Sequence, residues 1–87
     1  MIDYTKQCSV LFFFANEKGK VDMMHYERPQ YVDDYTLNEE AKENAKDMLK
    51  KKLNGANELV AIAIARSEMQ HKDIMNQASQ GFKQQFN

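Results

Sequence analysis

The sequence has few of the residues that small domains use as covalent or metal staples. Its 87 residues include one cysteine, Cys8, and two histidines, His25 and His71. A single cysteine cannot close an internal disulfide, and neither histidine has further ligand residues at the spacing of a zinc site. We therefore expect no disulfide, no metal and no cofactor, and we interpret Cys8, at the edge of an apolar run, as a buried inert thiol.

Glycine is equally scarce, which bears on catalysis and phosphate binding. The three glycines, at positions 19, 55 and 81, lie far apart and suit separate turns or caps, so they form no glycine-rich phosphate loop. Cys8 with one of the two histidines is the only nucleophile and base pair that the sequence offers, and it would require an exposed thiol near an imidazole. We expect no enzymatic activity.

The chain also has no large excess of charge of either sign and no long apolar run. Twelve basic residues oppose thirteen acidic ones, for a net charge of -1, so the basic field that nonspecific nucleic-acid binders use is missing. The apolar run 10–15 is far shorter than a membrane span, and no basic region opens the sequence. We expect a cytoplasmic protein with no membrane partner, and we do not expect nucleic acid as its main partner.

The N-terminal part of the sequence predicts two strands, the first of them more apolar than the second. Residues 8–15 are rich in aromatic and β-branched side chains on both alternating faces, which favours a central strand. Residues 16–19 predict a hairpin turn with glycine at its end. Residues 21–28 predict a second, antiparallel strand that is only half apolar and ends at Pro29.

The best-marked helix follows this hairpin. Thr36 and Glu39 match a capping box, so Thr36 is the predicted N-cap and Leu37 the first helical residue. Apolar residues at three- and four-residue steps carry the helix to residue 53, and Asn54 with Gly55 predicts a left-handed stop. Acidic residues crowd the first turns and Lys50 to Lys52 the last, an order that complements the helix dipole.

Residues 57–66 are compatible with two structures. They alternate strictly over 59–65 but contain several alanines, and we favour a strand with Val60, Ile62 and Ile64 on one face. A second capping box at residues 67–70 supports this choice, because a helix start there implies that another element precedes it. The C-terminal helix is then predicted over residues 68–80.

The predicted fold is a single α+β domain over residues 1–87. It has a small three-stranded sheet in the order ββαβ, with a C-terminal helix. A right-handed crossover places the third strand antiparallel beside the first, which is therefore central. The alternative replaces the third strand by a helix, giving a β-hairpin plus a two-helix hairpin.

Aromatic and acidic side chains around the loop 30–35 are the candidate contact residues. Rigid aromatic groups beside carboxylates suit a protein partner better than a polyanion. The predicted interaction residues are Tyr26, Tyr31, Asp33, Asp34, Tyr35, Phe82 and Phe86. The lysines of the first helix are interpreted as a solvated face with Glu43–Lys46 and Asp47–Lys51 pairs.

These observations favour a small non-enzymatic protein–protein interaction or inhibitor module. We expect it to self-associate as a homodimer, because the first strand needs cover on both faces and the C-terminal helix is thin, and to bind a further, unidentified protein. In size and element order the chain resembles some small phage-encoded inhibitors and antitoxins, although no motif accompanies this resemblance. The alternative is a ligand- or nucleic-acid-binding regulator with a site at a subunit interface, where Lys50 to Lys52 would meet Tyr31, Tyr35 or His25.

Overall fold

The computed structural model describes residues 2–80, which form a three-stranded sheet with a helix on each face. The elements follow one another as β1 (Gln7–Ala15), β2 (Val21–Pro29), α1 (Asp34–Lys50), β3 (Glu58–Ala65) and α2 (Glu68–Ser79). The predicted α+β class and the ββαβ order with a C-terminal helix are confirmed. The alternative with a helix in place of β3 is wrong.

Strand β1 occupies the centre of the sheet, whose order is β2-β1-β3. It pairs antiparallel with both neighbours, so β2 and β3 run parallel and α1 connects them across β1. Every residue of β1 after Gln7 is buried, which explains why a strand that is apolar on both faces takes this position. The predicted placement of β1 is confirmed.

The larger core lies between the sheet and α1. Leu37, Ala41 and Ala45 are buried along one side of α1, because residues at four-residue steps share a helix face. The alanines have little bulk and let the helix backbone approach β1 and β3 closely. Phe12 of β1 stacks with Tyr26 of β2, with ring centroids 5.6 Å apart, and this contact closes the β2 side of the core.

The second core lies between the sheet and α2, and it is complete within one chain. Leu11 is 0% and Phe13 is 2% exposed, and Ile74, Met75 and Ala78 of α2 pack against this cluster. The expectation that α2 is too thin to complete this core without a second subunit is therefore wrong, because α2 covers this face of β1. Self-association itself stays a prediction and needs another physical reason.

Strand β3 holds one residue more than the segment of β1 that it faces. Phe13 pairs with Ala61, but the next residue of β1, Phe14, pairs with Leu59. Val60 is the extra residue, and the irregularity is a β-bulge.

The bulge changes which side chains of β3 face each helix, because the residues before it are shifted by one position. Leu59 packs on the α1 face with Ile62 and Ile64, whereas Val60 packs on the α2 face. The predicted face of Val60, Ile62 and Ile64 is therefore wrong for Val60, because a two-residue period does not continue through a bulge.

Helix α1 begins three residues earlier than the sequence predicted. The N-cap is Asp33, whose Oδ1 accepts a hydrogen bond from the backbone N–H of Thr36 at 2.8 Å. Thr36 lies in the first turn, so its predicted role as the N-cap of a capping box with Glu39 is wrong. Both residue types are good N-caps, and capping at Asp33 adds most of a turn to the helix.

The end of α1 is also earlier than predicted, at Lys50 instead of residue 53. Lys52 has a φ of 50° and Asn54 a φ of 53°, so the chain turns in the left-handed region before β3. Leu53–Gly55 forms a short 3-10 turn, in which Gly55 has a φ of 76°. The predicted left-handed conformation at Gly55 is present, but it follows this extra turn and does not cap α1.

The N-cap generates a test. We expect Asp33→Ala to lower the urea midpoint of unfolding at pH 7, while Asp33→Asn, which keeps a side-chain acceptor of similar capping strength, changes it little. Hydrogen bonds from the side chain and backbone of Thr36 hold the pKa of Asp33 below its ordinary value. The stabilisation is therefore present above the unfolded-state pKa and lost as pH falls through the folded-state pKa, so the gap between wild type and Asp33→Ala should shrink in acid. Equal midpoints for these two proteins at pH 7 would contradict the cap.

Candidate functional site

One arginine holds the loop that carries the predicted contact residues. Arg66 follows β3 directly, and its guanidinium donates to the backbone oxygens of Gln30 (2.9 Å) and Val32 (2.7 Å). It also forms a 2.7 Å ion pair with Oδ1 of Asp34. An arginine presents five N–H donors in a rigid plane, which is what three acceptors on one curved loop require.

Gln30 extends this arrangement to the N-terminal segment. Its Nε2 donates to the backbone oxygens of Tyr4 (2.8 Å) and Arg66 (2.9 Å), and its Oε1 accepts from Nη1 of Arg66 at 3.2 Å. The start of the chain, the loop between β2 and α1, and the end of β3 are thus joined through two side chains. We call this set of hydrogen bonds the Arg66 junction.

Two large aromatic side chains project from the loop and the helix start that this junction holds. Tyr31 is 88% and Tyr35 is 75% exposed. Exposed aromatic side chains are typical of contact surfaces, where tyrosine is enriched. Tyr31 and Tyr35, with Asp33 and Asp34 between them, are called the tyrosine surface below.

The two carboxylates of the tyrosine surface already have structural partners. Asp33 caps α1, and Asp34 pairs with Arg66 while its side chain stays 71% exposed. Both therefore fix the geometry of the loop and still present negative charge to solvent.

The remaining predicted contact residues are placed elsewhere. Tyr26 lies half-buried on the α1 face, where its hydroxyl accepts a hydrogen bond from Nδ2 of Asn44 at 3.1 Å. The structure thus places Tyr26 in the packing between β2 and α1. Phe82 and Phe86 lie outside the described residues.

The lysines of α1 form the predicted ion pairs. Lys46 lies 3.5 Å from Glu43 and Lys51 lies 3.0 Å from Asp47, which confirms both pairs. The lysines at 50–52 follow the far end of α1 from the tyrosine surface, a separation of about 25 Å for 17 helical residues. Within one chain they do not meet Tyr31 or Tyr35, and the alternative of a regulator that brings these residues together across a subunit interface stays a prediction.

A pocket of about 420 Å³ opens on the other face of the sheet, between β2 and the start of α2. It brings together both histidines, two carboxylates, two hydroxyls and two apolar side chains. The lining residues are Ile2, Tyr4, Ser9, Met23, His25, Glu27, Glu68 and His71. Sequence analysis did not find this site, although the alternation of β2 places Met23, His25 and Glu27 on one face.

The electrostatic environment of this pocket is negative. Burial, followed by the negative charge of Glu68, raises the pKa of Tyr4 above its ordinary value. Among residues 2–80, no group of three or more histidine, cysteine or carboxylate side chains is placed to hold a metal ion. The groups that line the pocket can offer hydrogen bonds and charge attraction to a ligand.

Cys8 lies away from both histidines. It is fully buried in the core beneath α1, and its Sγ lies 3.9 Å from the backbone oxygen of Pro29. The prediction that Cys8 is buried is confirmed. The exposed thiol near a histidine that a Cys8 enzyme would need is not formed.

Comparison of the chain with protein-family models, curated proteins and solved structures finds no match. In the part of the chain described, no helix has the length and apolar character needed to cross a membrane. The predicted cytoplasmic location, the interaction role and the likeness to phage-encoded inhibitors therefore stay predictions.

The Arg66 junction can be tested against a second bidentate arginine. We expect Arg66→Lys to lower the free energy of unfolding by about 2 kcal/mol, because an ammonium cannot replace the planar fork and leaves partly buried carbonyls without a partner. Arg28 makes a two-bond ion pair with Glu40 at 3.0 Å but contacts no loop carbonyl, so Arg28→Lys should cost much less. Urea unfolding of the two variants measures this difference. Equal losses would show that the carbonyl contacts of Arg66 contribute little.

Proposed function

We propose that this protein is a small non-enzymatic interaction module that binds a protein partner through its tyrosine surface. The observation that carries the proposal is the exposure of Tyr31 and Tyr35 on a segment held by Arg66. An inhibitory role would follow from covering the surface of that partner, and it requires no chemistry from this chain.

Preorganisation supports this proposal. Binding orders flexible loops at a cost in entropy, and a loop that is already fixed avoids much of that cost. Tyrosines have few rotatable bonds for their contact area, and they are frequent among the residues that dominate binding energy. Asp33 and Asp34 add negative charge beside them, which favours a partner with a basic contact surface.

The burial of Cys8 away from both histidines supports a role without cysteine chemistry. Cys8 is buried on the α1 side of the sheet, whereas His25 and His71 line the pocket on the α2 side. The thiolate-forming contact that a cysteine nucleophile needs is therefore missing within residues 2–80.

The tyrosine surface is tested by comparing variants in affinity capture from the native host. We expect Tyr31→Ala with Tyr35→Ala to reduce recovery of the main captured protein at least about tenfold, since interfacial tyrosines often contribute more than one factor of ten. Met69 is 74% exposed on α2, so Met69→Ala is a matched loss of exposed apolar area. Recovery should be unchanged in that control, and all variants should keep the wild-type urea midpoint. A captured protein that is retained equally by the tyrosine double variant contradicts the proposal.

We also propose that the protein self-associates through the outer edge of β3. In the described sheet, β3 pairs with β1 and no other strand, so one row of its backbone groups is open. Charged side chains and proline are features with which proteins protect edge strands from pairing. Residues 59–65 of β3 contain neither. By contrast, the β2 edge carries Asp22, Glu27 and Arg28.

The geometry of β3 suits pairing with a second copy. The bulge at Val60 disturbs one end of the strand, which leaves residues 61–65 regular. Two such segments, related by a two-fold axis and antiparallel, would join two three-stranded sheets into one of six strands. This contact replaces the uncovered sheet face as the physical reason for self-association.

A lysine placed on either edge distinguishes this contact. Leu11 pairs with His25 on one side and with Ala63 on the other, so Ala63→Lys and His25→Lys add the same side chain to opposite edges at one level of the sheet. We expect sedimentation and a concentration-dependent melting temperature to show a dimer for wild type and His25→Lys, and a monomer for Ala63→Lys. A wild-type chain that sediments as a 10.2 kDa monomer at all concentrations contradicts self-association.

A further inference from the structure

We propose that the pocket between β2 and α2 binds a small organic cation, an ammonium or guanidinium group carried on an apolar body. Glu27 of β2 and Glu68 of α2 supply two carboxylates, and no lysine or arginine lines the pocket. The inference does not rest on the tyrosine surface, since none of its four residues lines the pocket.

The two carboxylates have no cation of their own. Within residues 2–80 neither Glu27 nor Glu68 forms an ion pair, whereas Glu39, Glu40 and Glu43 on α1 all do. Because Glu27 and Glu68 belong to different elements around one pocket, a positive group placed there is attracted to both. Charge attraction in a partly enclosed site is stronger than on an open surface.

A hydroxyl on the same pocket adds a hydrogen-bonding group for a ligand. Ser9 is 3% exposed and lies on the central strand, where it pairs with Glu27 of β2 and Ala65 of β3. Within residues 2–80 its hydroxyl has no side-chain hydrogen bond, and it lines the pocket. No buried side-chain polar atom among residues 2–80 lacks a hydrogen-bond partner, so this hydroxyl is open to the pocket, where a ligand or water can bond to it.

The remaining lining residues fit the apolar body of such a cation. Ile2, Tyr4 and Met23 are half-buried, and the face of the Tyr4 ring is a site that attracts positive charge. The two histidines add ring nitrogens that accept hydrogen bonds from ammonium N–H groups. A volume of about 420 Å³ falls in the ordinary range for small-molecule sites.

The test uses the whole chain, with phenethylammonium chloride as the probe. Binding of the probe is measured by NMR chemical-shift titration at low salt. We expect saturable shifts at Ser9, Met23 and His71, and weaker binding of 2-phenylethanol, which has a similar body without the charge. Each of the variants Glu27→Gln and Glu68→Gln should weaken binding of the probe about two- to fivefold, the effect of one partly exposed charge pair. Together they should weaken it about tenfold.

Glu17→Gln is the matched control. It removes the same charge from the turn between β1 and β2, outside the pocket, and should leave the affinity unchanged. Ser9→Ala should weaken binding without lowering the urea midpoint. Equal affinity for the alcohol, an equal loss in Glu17→Gln, or no saturable shift at the pocket with millimolar probe would overturn the proposal.

The cation can come from a free amine or from a side chain of another protein. A titration with the peptide acetyl-Gly-Arg-Gly-amide separates these sources. Tighter binding of the peptide than of phenethylammonium assigns the site to an arginine of a protein partner, and the reverse order assigns it to a free amine. In both cases the affinity must depend on Glu27 and Glu68, and a peptide that binds independently of them would count against the site.

Discussion

The Arg66 junction is the contact on which the arrangement of the molecule depends. It joins segments 34 to 36 residues apart through hydrogen bonds to Gln30 and Val32, and Gln30 links them in turn to Tyr4. Loops of this kind contain many backbone acceptors that water would otherwise satisfy. Because one rigid cation serves several of them, the exit of β2, the start of α1 and the entry of α2 have fixed relative positions. The exposure of the tyrosine surface is a consequence of that constraint.

The order and centre of the fold were predictable because β1 is apolar on both faces and only the middle of a sheet covers both. Element ends were less predictable. Asp33 and Thr36 are both good N-caps three residues apart, and in the structure Asp33 caps the helix while Asp34, its first residue, pairs with Arg66. The face of Val60 was not predictable, since a bulge depends on how β1 and β3 pair and leaves no mark in the alternation of β3 itself.

The residues of the candidate functional surfaces were also only partly predictable from the sequence. Tyr31 and Tyr35 were identifiable because they stand in a short polar segment where aromatic side chains find little to pack against. Arg66 was not, since its partners are remote in sequence. The pocket was hidden for the same reason: His25 and His71 meet only through the register of β2 against β1 and the packing of α2. Sequence patterns report which face a residue takes, and the register decides which faces adjoin.

The bulge in β3 has a further consequence for how this sheet tolerates a change in length. Without Val60, Ala61 and Leu59 would stand in consecutive positions opposite Phe13 and Phe14, which is their present pairing. The strand can therefore be regarded as an ordinary strand into which one residue, Val60, has been inserted. At this position the insertion leaves all the remaining side chains of β3 on the faces that their pairing with β1 requires. An insertion elsewhere in β3 would shift the pairing and move apolar side chains to the wrong core. A variant that lacks this one residue is thus compatible with the fold at the bulge, and the core pairing of β1 would survive the difference.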